Sequence, residues 1–92
     1  MYQTMPESLQ LKIEEKLKIA FKPSLLMLTD ETHKHLKHRH FQSGKYHLKL
    51  EIQSNLLSKL SKLKAHQAIY RVLERFMQGN IHALSITLIN DK

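Results

Sequence analysis

Ninety-two residues are enough for one domain, 1–92, and exclude a second hydrophobic core. The absence of cysteine excludes disulfides, a thiol nucleophile and thiolate metal ligands from this chain. The formal charge of +7, with seven histidines besides, favours an acidic partner such as nucleic acid, although a lysine-solvated surface would explain the same charge. No signal peptide and no membrane-spanning run of about 20 apolar residues is present, so we expect a soluble, cytoplasmic protein.

The first predicted helix runs from Thr4 to Pro23. Thr4 and Glu7 have the spacing of a capping box, and Pro6 falls in the first turn, where a missing N–H costs little. Pro23 is expected to end the helix. A stripe at helical spacing is expected to be buried, and it consists of Leu9, Ile13, Leu17, Ala20 and Phe21.

Two strands and a long connection are predicted next. Leu25 to Thr29 is a short apolar run, which predicts a buried strand. Tyr46 to Gln53 alternates apolar and polar residues, which predicts a second strand, antiparallel to the first, with one open face. The segment from Asp30 to Gly44 has no periodicity, and connections of this length are usually functional or disordered. It carries four histidines, namely His33, His35, His38 and His40.

The second half begins with a turn at Ser54-Asn55 and a short helical turn, in which leucines at every third position are expected to pack on the core. These are Leu57, Leu60 and Leu63. A longer helix is predicted from Lys64, with Gly79-Asn80 ending it because both residues tolerate a left-handed conformation. Its apolar face consists of Ala65, Ala68, Ile69, Val72, Leu73, Phe76 and Met77.

The last predicted strand runs from Ile81 to Ile89, with Leu84, Ile86 and Leu88 on one face. His82 falls in that same register, at the edge of the apolar face, so it serves either packing or chemistry. The order of helix, strand, strand, short turn, helix and strand predicts an α+β fold, with helices packed on one face of a three-stranded sheet.

The histidines are the strongest candidates for chemistry, because neutral imidazole ligates zinc, copper, nickel and iron. A complete site usually needs three or four ligands, and structural zinc sites usually include cysteine, so a solvated basic loop is the alternative. If the loop folds over the start of the last strand, His82 and one loop histidine would give two ligands. The remaining positions would be open to another molecule.

Other functions have less support. The chain has only two glycines, so no glycine-rich phosphate loop is present, and no nucleophile elbow occurs. We therefore expect no enzymatic activity. A basic stripe along the second long helix and its approach is a candidate phosphate surface, although no GxxG loop or aromatic platform accompanies it. A solvated polar face is the alternative for these residues, which are Lys59, Lys62, Lys64, Arg71 and Arg75.

Several short motifs together resemble the BolA family, most closely from residue 46 to residue 88. Residues 82–86 read His-Ala-Leu-Ser-Ile, similar to the family's terminal His-Ala-Leu signature. Residues 47–50 read His-Leu-Lys-Leu, similar to its His-Phe-Lys-Val strand. His66 matches at the family's spacing, and residues 30–32 with His35 resemble its Asp-Glu-Ser opening and loop histidine. The chain departs from the family at residues 57–59, Leu-Ser-Lys in place of Phe-x-Gly, and at residue 65, alanine in place of arginine.

The resemblance implies a class II KH-like αββαβ fold and two roles. In the first, the chain shares a [2Fe–2S] cluster with a monothiol glutaredoxin, whose cysteine and glutathione supply thiolates. His82 would ligate iron, and His35 would be the second ligand. The supporting or alternative ligands would be His47, His33, His38 and His40. The chain alone would be a monomer without a cluster.

The second implied role is a DNA-binding transcriptional regulator of morphology and stress responses, which would use the basic stripe. We favour the first role, an adaptor in iron–sulfur trafficking or iron sensing. His66, on the polar side of its helix, is expected to be a surface or locally hydrogen-bonded residue.

Overall fold

The computed structural model describes residues 5–32 and 46–89. The described elements form one three-stranded sheet in the order β1-β2-β3, in which β1 pairs with β2 antiparallel and β2 pairs with β3 parallel. This arrangement confirms the α+β fold and the αββαβ order, with the second α position divided among three helices. The elements are α1 (Glu7–Phe21), β1 (Leu25–Asp30), β2 (Tyr46–Gln53), α2 (Asn55–Ser58), α3 (Lys62–Val72), α4 (Glu74–Gln78) and β3 (Ile81–Leu88).

The central strand, β2, separates the core from an open face. Its bounds and its alternation are as predicted, with every second residue buried. The core face of β2 packs with residues of the helices, among them Ile13, Leu17 and Ile69. The opposite face carries His47, Lys49, Glu51 and Gln53, which are only half-buried. Helices on one side therefore leave a polar sheet surface on the other.

Helix α1 begins at Glu7, three positions later than predicted, because Pro6 holds an extended conformation with ψ of 143° and serves as the N-cap. Thr4 lies outside the described residues, so the capping box stays a prediction. The helix ends one residue before Lys22, which is left-handed with φ of 45°. Pro23 explains this end, because proline disfavours the helical conformation in the residue before it.

The predicted strand at β1 is confirmed, but the prediction that it is buried is wrong. Leu25 is 39% exposed and Met27 is 50% exposed, whereas Leu28 is only 8% exposed. The cause is the position of β1 at the edge of a sheet that has helices on one face only. The apolar side chains of β1 therefore lie on both faces of the sheet, and helices cover only one of these faces.

The short helix α2 is fixed by Ser54, which is 4% exposed. Its hydroxyl accepts a hydrogen bond from the N–H of Leu57 at 3.4 Å and donates to the carbonyl of Phe21 at 2.7 Å. Leu57 is buried as predicted, but Leu60 and Leu63 are 41% and 68% exposed. The prediction of a threefold leucine repeat on the core is wrong for these two, because α2 ends at Ser58 and a new helix begins at Lys62.

The predicted second helix is divided at Leu73, whose φ of −98° and ψ of 15° lie outside the helical range. Gly79 is right-handed, with φ of −112°, so the predicted left-handed stop is also wrong. The turn closes instead because the N–H groups of Gly79 and Asn80 donate to the carbonyl of Phe76, at 3.2 and 2.9 Å. Across the described ranges, no helix has the length and apolar character needed to cross a membrane.

Candidate functional site

The start of β3 contains one residue more than the strand beside it. β2 advances by one residue from Tyr46 to His47, while β3 advances by two, from Ile81 to Ala83. His82 is the additional residue, which is the arrangement of a β-bulge. Bulges redirect side chains, and the histidine singled out from the sequence lies at the bulge itself.

The bulge corrects the predicted orientation of His82. Ile81 and Leu84 are both buried, at 2% and 8% exposure, although an odd spacing would place them on opposite faces of a regular strand. His82 and Ala83 are both exposed. The prediction that His82 shares the register of Leu84 is therefore wrong, because the additional residue turns the imidazole away from the core.

The redirected imidazole meets a second one on the neighbouring strand. The ring centroids of His82 and His47 are 4.9 Å apart, and the ring planes meet at 53°. His47 projects from the polar face of β2, as its alternation predicts, and is half-buried. The two rings form a pair at one end of the open sheet face, with His82 accessible to another molecule.

Backbone contacts with the end of β1 fix the position of His47. Its carbonyl accepts a hydrogen bond from the N–H of Glu31 at 2.7 Å. Its own N–H donates to the hydroxyl of Thr32 at 3.1 Å. These contacts follow the last ladder pair of the two strands, between Asp30 and Leu48. Thr32 was not among the predicted site residues, because a hydroxyl 15 positions away in the chain gives no periodic signal.

His66 differs from its prediction as a surface or hydrogen-bonded residue. It lies on α3, across the sheet from the histidine pair, and its Nε2 atom is buried without a hydrogen-bond partner among the described residues. One turn later, the Tyr70 hydroxyl donates to the carbonyl of Leu84 at 3.1 Å, which ties α3 to the edge strand β3. His66 is therefore not brought to the pair formed by His47 and His82.

The loop histidines, His33, His35, His38 and His40, lie outside the described residues, so their assignment as ligands stays a prediction. Within residues 5–32 and 46–89, no three side chains among histidine, aspartate and glutamate converge as a metal site. The described site thus offers two imidazoles and is open. It can contribute part of a coordination sphere that another molecule completes.

The five residues of the predicted basic stripe are all exposed. They do not border one groove. Lys62 borders a cleft at the carboxyl end of β3, whereas Arg71 and Arg75 border a second cleft, beside Lys16 of α1. Lys16 was not in the predicted set, because residues of different helices share no periodic pattern in the sequence.

Comparison with known proteins identifies the family. The family described as BolA-like protein matches residues 17–92. A Haemophilus influenzae relative, named as the DNA-binding transcriptional regulator BolA, is 35% identical over 81 residues, covering 88% of this chain and 76% of that protein. The Escherichia coli protein of the same name is 32% identical over 75 residues, covering 82% and 69%.

A solved structure shares the fold described above. The BolA domain of SufE1 from Arabidopsis thaliana superposes with a TM-score of 0.79 at 29% identity, covering 94% of this chain and 95% of that one. The likeness thus extends to nearly all of both chains. Together with the family match over most of the sequence, it shows that this chain belongs to the BolA family.

Proposed function

We propose that this protein is an adaptor in iron–sulfur cluster trafficking or iron sensing, and that it forms a [2Fe–2S]-bridged heterodimer with a monothiol glutaredoxin. His82 is the first iron ligand that this chain supplies, and His35 is the second. The chain acts as a binding module in the cytoplasm, not as an enzyme, and is a monomer when alone. The pair of imidazoles at the bulge of β3, in which His82 is exposed, is the observation that carries this proposal.

The donor set of the described site is compatible with a shared cluster. A [2Fe–2S] cluster takes four ligands, mostly thiolates, and this sequence has no cysteine. In this proposal His82 and His35 supply two imidazoles, and His47 lies beside His82 as a support or an alternative ligand. A partner must supply the thiolates, which a glutaredoxin cysteine and glutathione provide. When bound, a cluster with imidazole in place of thiolate has a raised reduction potential.

His82 would ligate through a ring nitrogen. The exposed position keeps the ring accessible to a partner, whereas a core position would exclude one. The +7 charge of the chain favours association with an acidic partner surface, because complementary charges speed encounter. Iron ligation would therefore use His82, whereas the encounter with the partner would use the basic side chains, so variants can test the two steps separately.

DNA binding is the second candidate function, and a specific observation favours it. Two relatives are named as DNA-binding transcriptional regulators, and the five predicted basic residues are exposed. Their ammonium and guanidinium groups would contact phosphates without sequence readout, so the affinity would fall steeply with salt. Regulation of morphology and stress responses would follow from such binding.

Paired charge reversals separate the two functions. Lys59→Glu combined with Lys62→Glu is expected to reduce retention on a DNA column without changing the visible absorbance of the cluster-bearing heterodimer. Lys12→Glu combined with Lys18→Glu changes the net charge equally on α1 and serves as the control. Unchanged DNA retention in the first variant would remove this part of the basic stripe from the proposal.

A further inference from the structure

The β1–β2 ladder continues past its last residue pair by means of a side chain. After Asp30 pairs with Leu48, the Glu31 N–H donates to the His47 carbonyl at 2.7 Å. The His47 N–H then donates to the Thr32 hydroxyl oxygen at 3.1 Å. A hydroxyl thus takes the place that a backbone carbonyl would occupy in a regular antiparallel ladder. It does so at the residue whose imidazole contacts His82.

The carboxylate of Asp30 holds that hydroxyl in place. Its Oδ1 atom accepts hydrogen bonds from the Thr32 N–H, at 2.9 Å, and from the Thr32 hydroxyl. Its Oδ2 atom accepts from the N–H of Met5 at 2.7 Å, ahead of α1. Thr32 is 1% exposed, and a hydroxyl has a single proton. Because Asp30 takes that proton, the Thr32 oxygen faces His47 as an acceptor.

We infer that Asp30 and Thr32 are positioning residues for the imidazole pair, an inference that rests on the function proposed above. The backbone of His47 sets where its Cβ projects, and this clasp of Asp30 and Thr32 fixes that backbone from the side of β1. The bulge at His82 fixes the other ring from the side of β3. Loss of the clasp would remove the hydrogen bond to the His47 N–H, and the pair would lose its geometry while the core remained.

The test compares variants of similar size in the chain without a cluster. Thr32→Val removes the hydroxyl, and Thr32→Ser keeps it. Thr29→Val is the matched control, because Thr29 is exposed on β1, three positions before Thr32. NMR of the imidazole ring protons is expected to show shifted His47 and His82 signals in Thr32→Val alone. The His47 amide is expected to exchange about tenfold faster in that variant, from the loss of one hydrogen bond.

A second variant addresses the carboxylate. Asp30→Asn leaves one carbonyl oxygen and introduces an NH₂ group, so it cannot accept hydrogen bonds on both sides. The same ring signals are expected to move. If the variants fail to fold, amide exchange in the wild-type chain still tests the inference. The hydrogen bond to Thr32 requires that the His47 amide be protected from exchange. Exchange of that amide at the rate of an exposed group would overturn the inference, as would unchanged ring signals in a folded Thr32→Val.

Reconstitution with a monothiol glutaredoxin separates this inference from the proposed function. Visible circular dichroism of the heterodimer is expected to change with Thr32→Val, to stay as wild type with Thr32→Ser, and to be lost with His82→Ala. An effect of His82→Ala without an effect of Thr32→Val would overturn the positioning role alone. If no coloured heterodimer forms with the wild-type chain, the proposed function fails, and with it the role that the clasp would serve.

Discussion

Replacing His82 with alanine separates chemistry from packing at the bulge. The His82 side chain is exposed, and exposed substitutions usually change the free energy of unfolding by no more than about 0.5 kcal/mol. For a domain of this size that corresponds to a change in melting temperature of about 2–4 °C. Leu84, two positions later, is 8% exposed, so Leu84→Ala is expected to cost about 2–5 kcal/mol, or at least about 8 °C.

Thermal unfolding followed by far-ultraviolet circular dichroism measures both variants directly. His82→Ala is expected to melt close to the wild-type chain and to lose the cluster when it is reconstituted with a glutaredoxin. Leu84→Ala, which leaves both imidazoles in place, is expected to melt much earlier. A loss of stability in His82→Ala as large as in Leu84→Ala would refute the reasoning, because it would show that His82 serves the core.

Three further outcomes are expected. Deletion of His82 removes the additional residue of the bulge and leaves a regular β2–β3 ladder. The melting temperature of the deletion variant should therefore stay within a few degrees of that of His82→Ala. Loss of the fold would contradict the observed register of the two strands. Ser54→Ala removes two hydrogen bonds of a buried hydroxyl and should lower the free energy of unfolding, measured with denaturant, by about 1–2 kcal/mol. A decrease below about 0.5 kcal/mol would be inconsistent with the capping role of Ser54. His35→Ala should weaken cluster binding, followed by absorbance, less than His82→Ala does; the reverse order would exchange the two predicted ligands.

The regular parts of the fold could be predicted because periodicity reports burial on one face. β2 was predicted with its bounds and its alternation, since one of its faces packs on helices and the other is open. The apolar run of β1 was misleading, because Leu25 and Met27 lie on the open face of an edge strand. The break at Leu73 was missed as well, since the apolar stripe continues across it.

The site could be predicted in its residues but not in its geometry. His82 was found through motif resemblance, and His47 was named as an alternative ligand because it projects from the polar face of its strand. The contact between the two rings depends on the bulge. The bulge was not predicted, because one additional residue leaves the alternation of the later β3 residues unchanged. The clasp of Asp30 and Thr32 depends on a bond to a residue 25 positions away, which only the tertiary fold brings near.

Co-expression with a monothiol glutaredoxin, followed by visible absorption and circular dichroism of the purified pair, tests the central claim most directly. The proposal predicts a coloured heterodimer whose spectrum changes with His82→Ala. A colourless monomer that ignores the glutaredoxin would contradict it. If that monomer also bound DNA with a steep salt dependence, the regulator would be the supported function.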